Sequence, residues 1–321
     1  MVGNAAAPES PANRPELSVV IAVISGGCDV LRGCLEALQA SAVGCRVECI
    51  VPYDARLDGV AELAHRFPWV DFVDARAQVD AERFGSFSRE HHDILRAIGL
   101  RRARGRIIAM LEDHGTASSD WCSALLAAHE GPDAAVGGAI ENGVDRPLNW
   151  AVYYCDFGRY QNPVPQGPVA SVSDSNVAYK RDALASVEEL WREAFHETVV
   201  NGELQRRGAM LRLEPRMIVY QTRRDLRLWP ALRERYVWGR SFAGSRVAQT
   251  TRARRGRFAG LALLLPAVLS WRVLSQGLRR GRHLDRLLLC MPLVVLLETW
   301  WSFGELVGYV TGRSAAPRRA G

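Results

Sequence analysis

The chain of 321 residues predicts an α/β fold, a mostly parallel sheet with helices on both faces, followed by an apolar helical region. Three observations carry this. Short β-branched runs alternate with segments of helical period at the spacing of βαβ units. The strand-like run Arg106-Ile-Ile-Ala-Met-Leu-Glu-Asp-His114 ends in two carboxylates and an imidazole, and ligands of open α/β sheets sit beyond such carboxyl ends. The last third turns basic and apolar. A solvated turn before a helix starting near Trp121 is the other reading of the Glu112–His114 tip.

The elements follow in order. Leu17 to Ile24 is a buried parallel-type strand, because β-branched runs without alternation are covered on both faces. Ser25-Gly-Gly turns the chain, and Asp29 is placed to cap a helix with Leu31, Leu35 and Leu38 on one side. Val47 to Val51 is a second strand, which Pro52 should stop. A helix is expected from about Asp58 to Arg66, then a short strand Trp69 to Val73. Residues 89–104 read as a helix with an Ile94, Leu95, Ile98, Leu100 stripe, and Arg106 to Leu111 as the fourth strand. A helix from Trp121 to about His129 and a strand from Ala134 to Ile140 come next. Residues 141–170, rich in Asn, Gly, Pro and aromatics, read as a long loop over a site. Ser175 to Tyr179 is a strand feeding a helix at Arg181. Residues 196–207 form a helix closed by Gly208. Met210 to Leu213 and Met217 to Tyr220 are short strands.

Composition bounds the rest. The net charge is +6 and 48% of residues are apolar, so a sizeable core is available. Arginine dominates from Arg206 onward, which points to anionic partners: membrane lipid or phosphate first, nucleic acid last, since no aromatic-basic interleaving of an RNA-binding kind occurs. The seven cysteines show no Cys-x-x-Cys pair and read as reduced packing residues. Residues 1–14 carry no apolar signal core and read as a disordered leader, which places the catalytic body in the cytoplasm. The domain is expected over 15–225, a basic amphipathic connecting helix over 226–257, apolar helices over 258–312 and a basic tail over 313–321. The apolar runs Phe258 to Trp271 and Leu287 to Leu297 fall short of the ~20 residues that span a bilayer. With arginines between them and Trp271, Trp300, Trp301 and Tyr309 as a belt, they read as helices lying in an anionic membrane surface. A helical cap and a re-entrant hairpin are the other readings.

On a parallel sheet, residues 24–26, 52–54 and 112–114 share one edge. That edge suits a nucleotide: Glu112 for a ribose hydroxyl, and His114 with Asp113 for a divalent ion, manganese slightly before magnesium. His91 and His92, adjacent on a helix, are assigned no shared ligand role. Arg235, Tyr236, Trp238 and Arg240 combine cationic and aromatic groups that would hold a lipid diphosphate or a glycan; snorkelling arginines on an amphipathic helix are the equal alternative.

The chain resembles the family 2 glycosyltransferases. The resemblance rests on Pro15-Glu-Leu-Ser-Val-Val-Ile-Ala-Val23 with Leu31-Arg-Gly-Cys-Leu-Glu-Ala-Leu38. It continues through Arg96-Ala-Ile-Gly99 and Ala103-Arg-Gly-Arg-Ile-Ile108, which parallel the family's Ala-Arg-Asn-x-Gly and Ala-x-Gly pieces. Glu112-Asp-His114 falls at the family's Asp-x-Asp. Asn176-Val-Ala-Tyr-Lys-Arg181 resembles the strand lining the sugar pocket. Phe195-His-Glu197, with Glu203-Leu and Arg206 to Gly208, resembles the acceptor-side acidic motif.

The resemblance spans roughly residues 15–220 and implies a GT-A, Rossmann-like fold. It also implies a nucleoside-diphosphate sugar donor, a divalent metal (Mn2+ or Mg2+) and inversion in one displacement onto a glycan or lipid-linked acceptor. By it, Val23, Ser25, Asp54, Arg96, Glu112, Asp113, Asn176 and Arg181 would bind the donor, and His114 with Asp113 the metal. Glu197 would be the general base, His196 its orienting neighbour and Glu203 the second choice of base. Three departures stand out. Pro52-Tyr53-Asp54 replaces a usual Asp-Asp, His114 replaces the last Asp of Asp-x-Asp, and Val200-Asn201 replaces the acceptor-side acids. They keep a second reading open, a non-catalytic sugar-nucleotide-binding or membrane scaffold protein. A nucleotidyltransferase ranks last, for want of a basic glycine-rich loop after the first strand.

Overall fold

The computed structural model describes residues 14–23, 27–54, 56–57, 59–78, 89–165, 167–247 and 250–312. The leader up to residue 13, Ser25 and the tail from 313 lie outside the described residues. Two compact units divide the chain. Among the described residues, the first holds 14–78, 89–138 and 165–218; the second holds 139–164 and 219–312.

The first unit is built on the sheet. Its strands are β1 (Leu17–Ala22), β2 (Val47–Tyr53), β3 (Val70–Asp74), β4 (Ile107–Glu112), β5 (Gly115–Ala117), β6 (Ala135–Asn142), β7 (Asn176–Lys180) and β8 (Leu211–Gln221), in the order β3-β2-β1-β4-β7-β6-β8-β5. The unit boundaries fall inside β6 and β8. β1 pairs parallel with β2 and β4, in register Leu17 to Val47 and Leu17 to Ile107, and β2 pairs parallel with β3. β7 runs antiparallel to β4 and β6, with Asn176 opposite Leu111 and Lys180 opposite Ile107. The apolar residues of β1 are fully buried, and each such side chain contributes roughly 1.5–3 kcal/mol.

Helices α1 (Cys28–Ser41), α2 (Leu63–Arg66), α3 (Arg89–Arg102), α4 (Trp121–Ala128), α6 (Arg181–Ala185), α7 (Glu188–Trp191) and α8 (Glu197–Arg206) belong to this unit. α1 buries the predicted Leu31, Leu35 and Leu38 face, but Asp29 makes no cap; it pairs with Arg32 at 2.8 Å. Pro52 does not end β2: the strand runs on to Tyr53, and the Pro52 carbonyl accepts the Val23 N–H at 3.5 Å. The helix expected from Asp58 is confined to Leu63–Arg66. The two short strands expected around residue 215 are one, β8. At Gly138 a Cβ would lie 2.0 Å from the Met217 carbonyl oxygen, so only glycine lets β6 and β8 approach there.

The second unit is helical. The expected loop over 141–170 contains α5 (Pro147–Asp156) and a 3-10 turn at Gly158–Tyr160. Proline opens α5, where its missing N–H does no harm, and its aromatic residues are core: Trp150 stacks on Tyr154 with centroids 5.6 Å apart. The long helices are α9 (Leu228–Val247), α10 (Arg252–Ala262), α11 (Leu265–Arg280) and α12 (Leu284–Thr311). Ion pairs tie residues 139–164 to them: Glu141 to Arg282 at 2.8 Å, Asp145 to Arg286 at 2.6 Å and Asp156 to Arg235 at 2.7 Å.

α9 and α12 cross at small residues. A Cβ on Gly239 would meet the Trp301 carbonyl oxygen at 2.1 Å, one on Gly304 the Tyr236 carbonyl oxygen at 2.1 Å, and one on Gly308 the Ala243 Cβ at 2.6 Å. The runs that sequence spacing cut short are longer in space. α12 has 28 residues and is long and apolar enough to cross a membrane; α10 and α11, bent by 59°, pass the same test only as a pair.

Candidate active site

The carboxyl end of β4 delivers the acidic tip. Glu112 is its last residue, beside Ala22 in register, and Asp113-His114 form the tight link to β5. Packing against β1 and β7 fixes β4, so the three side chains converge. His114 Nε2 lies 3.2 Å from Glu112 Oε2, and His114 Nδ1 lies 3.2 Å from Asp113 Oδ1. Burial alone would push the His114 imidazole down, but the hydrogen bonds and charges of Asp113 and Glu112 hold it up at about 9. Burial would raise Glu112, but the His114 hydrogen bond and charge, then Arg96, bring it to about 2. The two shifts share one cause, a tight acid–imidazole contact out of water.

A second cation, Arg96 of α3, grips this tip. Arg96 is only 4% exposed. Its Nη2 lies 3.3 Å from Glu112 Oε1, and its Nη1 lies 3.4 Å from Asp93 Oδ1 and 3.2 Å from Asp174 Oδ2. Burial works against its charge, but Asp174, Glu112, Asp93 and Glu197 keep it protonated. Asp93 Oδ2 also meets His196 Nδ1 at 2.8 Å, and Glu197 Oε2 accepts the Asp174 backbone N–H at 3.3 Å. Acids and bases thus alternate in one chain: Asp113, His114, Glu112, Arg96, Asp93, His196. The sequence singled out neither Asp93 nor Asp174. An acid on a charged helix and one in a Ser-rich turn carry no signal of their own.

Other expected site residues fall elsewhere. Arg181 follows the strand end opposite Glu112, because β7 is antiparallel, and it donates to the carbonyls of Gly105 and Ala103 at 2.8 Å each. Asn176 stands at the right end, but its fully buried amide is structural: Oδ1 accepts from Trp121 Nε1 and Nδ2 donates to the Met217 carbonyl, both at 2.9 Å. Asp54 follows β2, also buried, and Arg56 Nε grips its two oxygens at 2.7 and 3.0 Å. The Arg56 hydrogen bonds and charge hold Asp54 below the usual carboxylate range despite burial. Val23 follows β1 with its side chain buried.

Glu203 is bound by Arg206 and Arg207, which hold it at about 2, unfit to take a proton near neutrality. His196 faces Asp93 rather than standing only beside Glu197. Asn201, which with Val200 stands where the sequence resemblance implies acids, is buried and accepts the Tyr179 hydroxyl at 2.8 Å. His91 and His92 pack edge to face with centroids 6.1 Å apart; burial keeps both neutral, His92 at about 3.

In the second unit, Arg235 is not open to a ligand: it is 5% exposed and paired with Asp156. Tyr236 packs on Phe303 at 5.5 Å, Trp238 lies 5.9 Å from the Arg235 guanidinium carbon, and Arg240 is half-buried.

Residues 18–187 match the profile of glycosyl transferase family 2. This is more than half of the chain, which therefore belongs to that family and is a glycosyltransferase. No curated protein sequence matches it. Solved structures of similar fold include the mannosyltransferase PcManGT from Pyrobaculum calidifontis in complex with GDP-Man and Mn2+. It has a TM-score of 0.50 at 14% identity over 95% of this chain and 89% of that one. S. aureus TarS 1–349 in complex with UDP-GlcNAc gives a TM-score of 0.46 at 10% identity, over 66% of this chain and 60% of that one, less than two thirds of its length. At 14% identity the likeness to PcManGT concerns the fold, which is the GT-A arrangement expected from the sequence.

Proposed function

We propose that the protein moves a sugar from a nucleoside-diphosphate donor to a hydroxyl of a lipid-linked or cell-envelope acceptor, at the cytoplasmic face of a membrane, in one inverting displacement. The observation that carries this is the charged chain at the carboxyl edge of the sheet, anchored on Glu112 and His114.

A divalent ion fits there. Among the described residues no three His, Cys, Asp or Glu side chains are placed to hold an ion by themselves, but two protein donors suffice when substrate phosphates complete the shell. Glu112 Oε2 and His114 Nε2 face each other, and Asp113 stands behind the ring on Nδ1. That is the usual outer-shell arrangement of a ligating histidine. Glu112 and His114 would hold the ion, with Asp113 one step back rather than coordinating. A mixed nitrogen and oxygen set suits manganese, and PcManGT was solved with Mn2+. The bound ion would neutralise the departing diphosphate.

Arg96 pairs with Glu112, and the first residues of α8 would face the acceptor, with Glu197 the base that the family resemblance favours and His196 its neighbour.

Membrane association is supported by the second unit. Residues 235–284 contain eleven arginines and no acid. α11 exposes Val268 and Trp271, 56% and 66% open, with Leu263 and Leu264 just before it. Exposed apolar groups among arginines suit an anionic lipid surface. The acid-free Asn201 position favours the non-catalytic alternative.

The deciding experiment is thermal stabilisation of the whole protein by UDP, GDP, ADP, CDP and dTDP, with and without Mn2+, beside His114→Ala. Metal-dependent stabilisation by one nucleotide, lost in the variant, supports the transferase reading. A folded protein that responds to none of them favours the scaffold.

A further inference from the structure

Resting on the transferase reading above, we infer that the proton acceptor is the imidazole of His196, aligned by the buried carboxylate of Asp93, and not a carboxylate. Where the resemblance implies acids stands Asn201, an amide that takes no proton and is bound to Tyr179. Glu203 is held by two arginines. Glu197 is engaged by the Asp174 backbone N–H and lies in the field of Arg96. His196 is the neutral base among these neighbours, and a buried carboxylate is aimed at its ring nitrogen.

That partner is well fixed. Asp93 is 2% exposed; one of its oxygens is 2.8 Å from His196 Nδ1 and the other 3.4 Å from Arg96. Its backbone carbonyl accepts the Phe195 N–H at 2.9 Å, so the segment entering α8 is docked on Asp93 twice. An Nδ1–H donated to Asp93 puts the ring's proton-accepting lone pair on Nε2. The His196 side chain is 48% exposed, while Asp93 is buried. An acceptor arriving from solvent therefore meets the imidazole and not the carboxylate behind it. Asp93 meets the ring, Arg96 joins Asp93 to Asp174, and the Asp174 backbone N–H donates to Glu197; Arg96 also reaches Glu112 at the proposed donor edge.

The step balances. The acceptor hydroxyl gives its proton to Nε2 as its oxygen lone pair bonds to the anomeric carbon. The bond from that carbon to the diphosphate oxygen breaks, and its electron pair leaves with the nucleoside diphosphate. The imidazolium, stabilised by Asp93, returns its proton to water.

Two measurements test this on the full chain. The first is 15N NMR of histidine-labelled protein, assigned by His196→Gln. We expect the Nδ1–H tautomer in the wild type and drift to Nε2–H in Asp93→Ala; an Nε2–H tautomer in the wild type overturns the inference. The second is nucleoside diphosphate release from a panel of UDP-, GDP- and dTDP-sugars. His196→Ala should lose about 100-fold or more and regain rate with added imidazole, which a merely structural histidine would not do. Glu197→Gln should lose less and gain nothing from imidazole. Turnover that survives in His196→Ala but vanishes in Glu197→Gln overturns this inference and leaves the transferase reading standing. A folded wild type that neither binds nor releases any nucleotide removes both.

Discussion

Arg96 sits where three carboxylates, Asp93, Glu112 and Asp174, would otherwise repel one another out of water. Arg96→Met leaves them uncompensated, and breaking a buried ion network of this kind costs about 3–5 kcal/mol. Urea unfolding should show that loss, with Arg96→Lys intermediate because the ammonium keeps the charge but not the fork. His114 makes a pH prediction. Its folded pKa, about 9, lies above the ordinary 6.5, so its contribution to metal-free stability is complete below 6.5 and lost as pH rises through 9. Glu112, lowered from 4.5 to about 2, contributes above 4.5 and loses that contribution as pH falls to 2. Melting temperatures of metal-free protein should therefore decline from pH 6.5 to 9, and the decline should flatten in His114→Gln; an identical slope in both would refute the assignment. Since an ion must displace the His114 proton, Mn2+ affinity measured by calorimetry should rise over the same range. The tip itself was legible in the sequence, as three chemistry-bearing residues ending an apolar run. Asp93 was not, because an acid on a polar helix reads as solvent-facing until the fold turns it inward.

Among elements, β7 teaches the most. Its sequence marks a strand before a helix, but not its direction. Running antiparallel, it brings Asn176 to the active edge and carries Arg181 to the far one. Direction is a property of pairing, and a single strand does not encode it. The helix Pro147–Asp156 was missed for a related reason: its aromatic residues and flanking Asn, Gly and Pro resemble a loop until their burial is known. The crossing of α9 and α12 was also invisible, since it depends on which glycines face each other. Gly304→Leu should therefore disrupt the second unit, because its Cβ would fall 2.1 Å from a carbonyl oxygen. Gly260→Ala, with nothing within 4 Å, should be neutral or stabilise by up to about 1 kcal/mol. Circular dichroism melts of the two variants would check the contrast.

At the scale of the whole molecule, the exposed apolar face amid arginines predicts sedimentation with vesicles containing phosphatidylglycerol, weakened by salt. Trp271→Asp should reduce that sedimentation without lowering the melting temperature, since Trp271 is 66% exposed. Equal sedimentation by both proteins would locate lipid binding elsewhere. The division of the chain bears on how the protein can be handled. Among the described residues the backbone passes three times from one unit to the other, after 138, 164 and 218, and residues 139–164 are bonded within the second unit to Arg235, Arg282, His283 and Arg286. Shortening the protein at residue 225 to rid it of its greasy end would strip Trp150, Tyr153 and Tyr154 of their cover. The trimmed enzyme should then clump rather than dissolve, and detergent, not a shorter gene, is the route to a tractable sample.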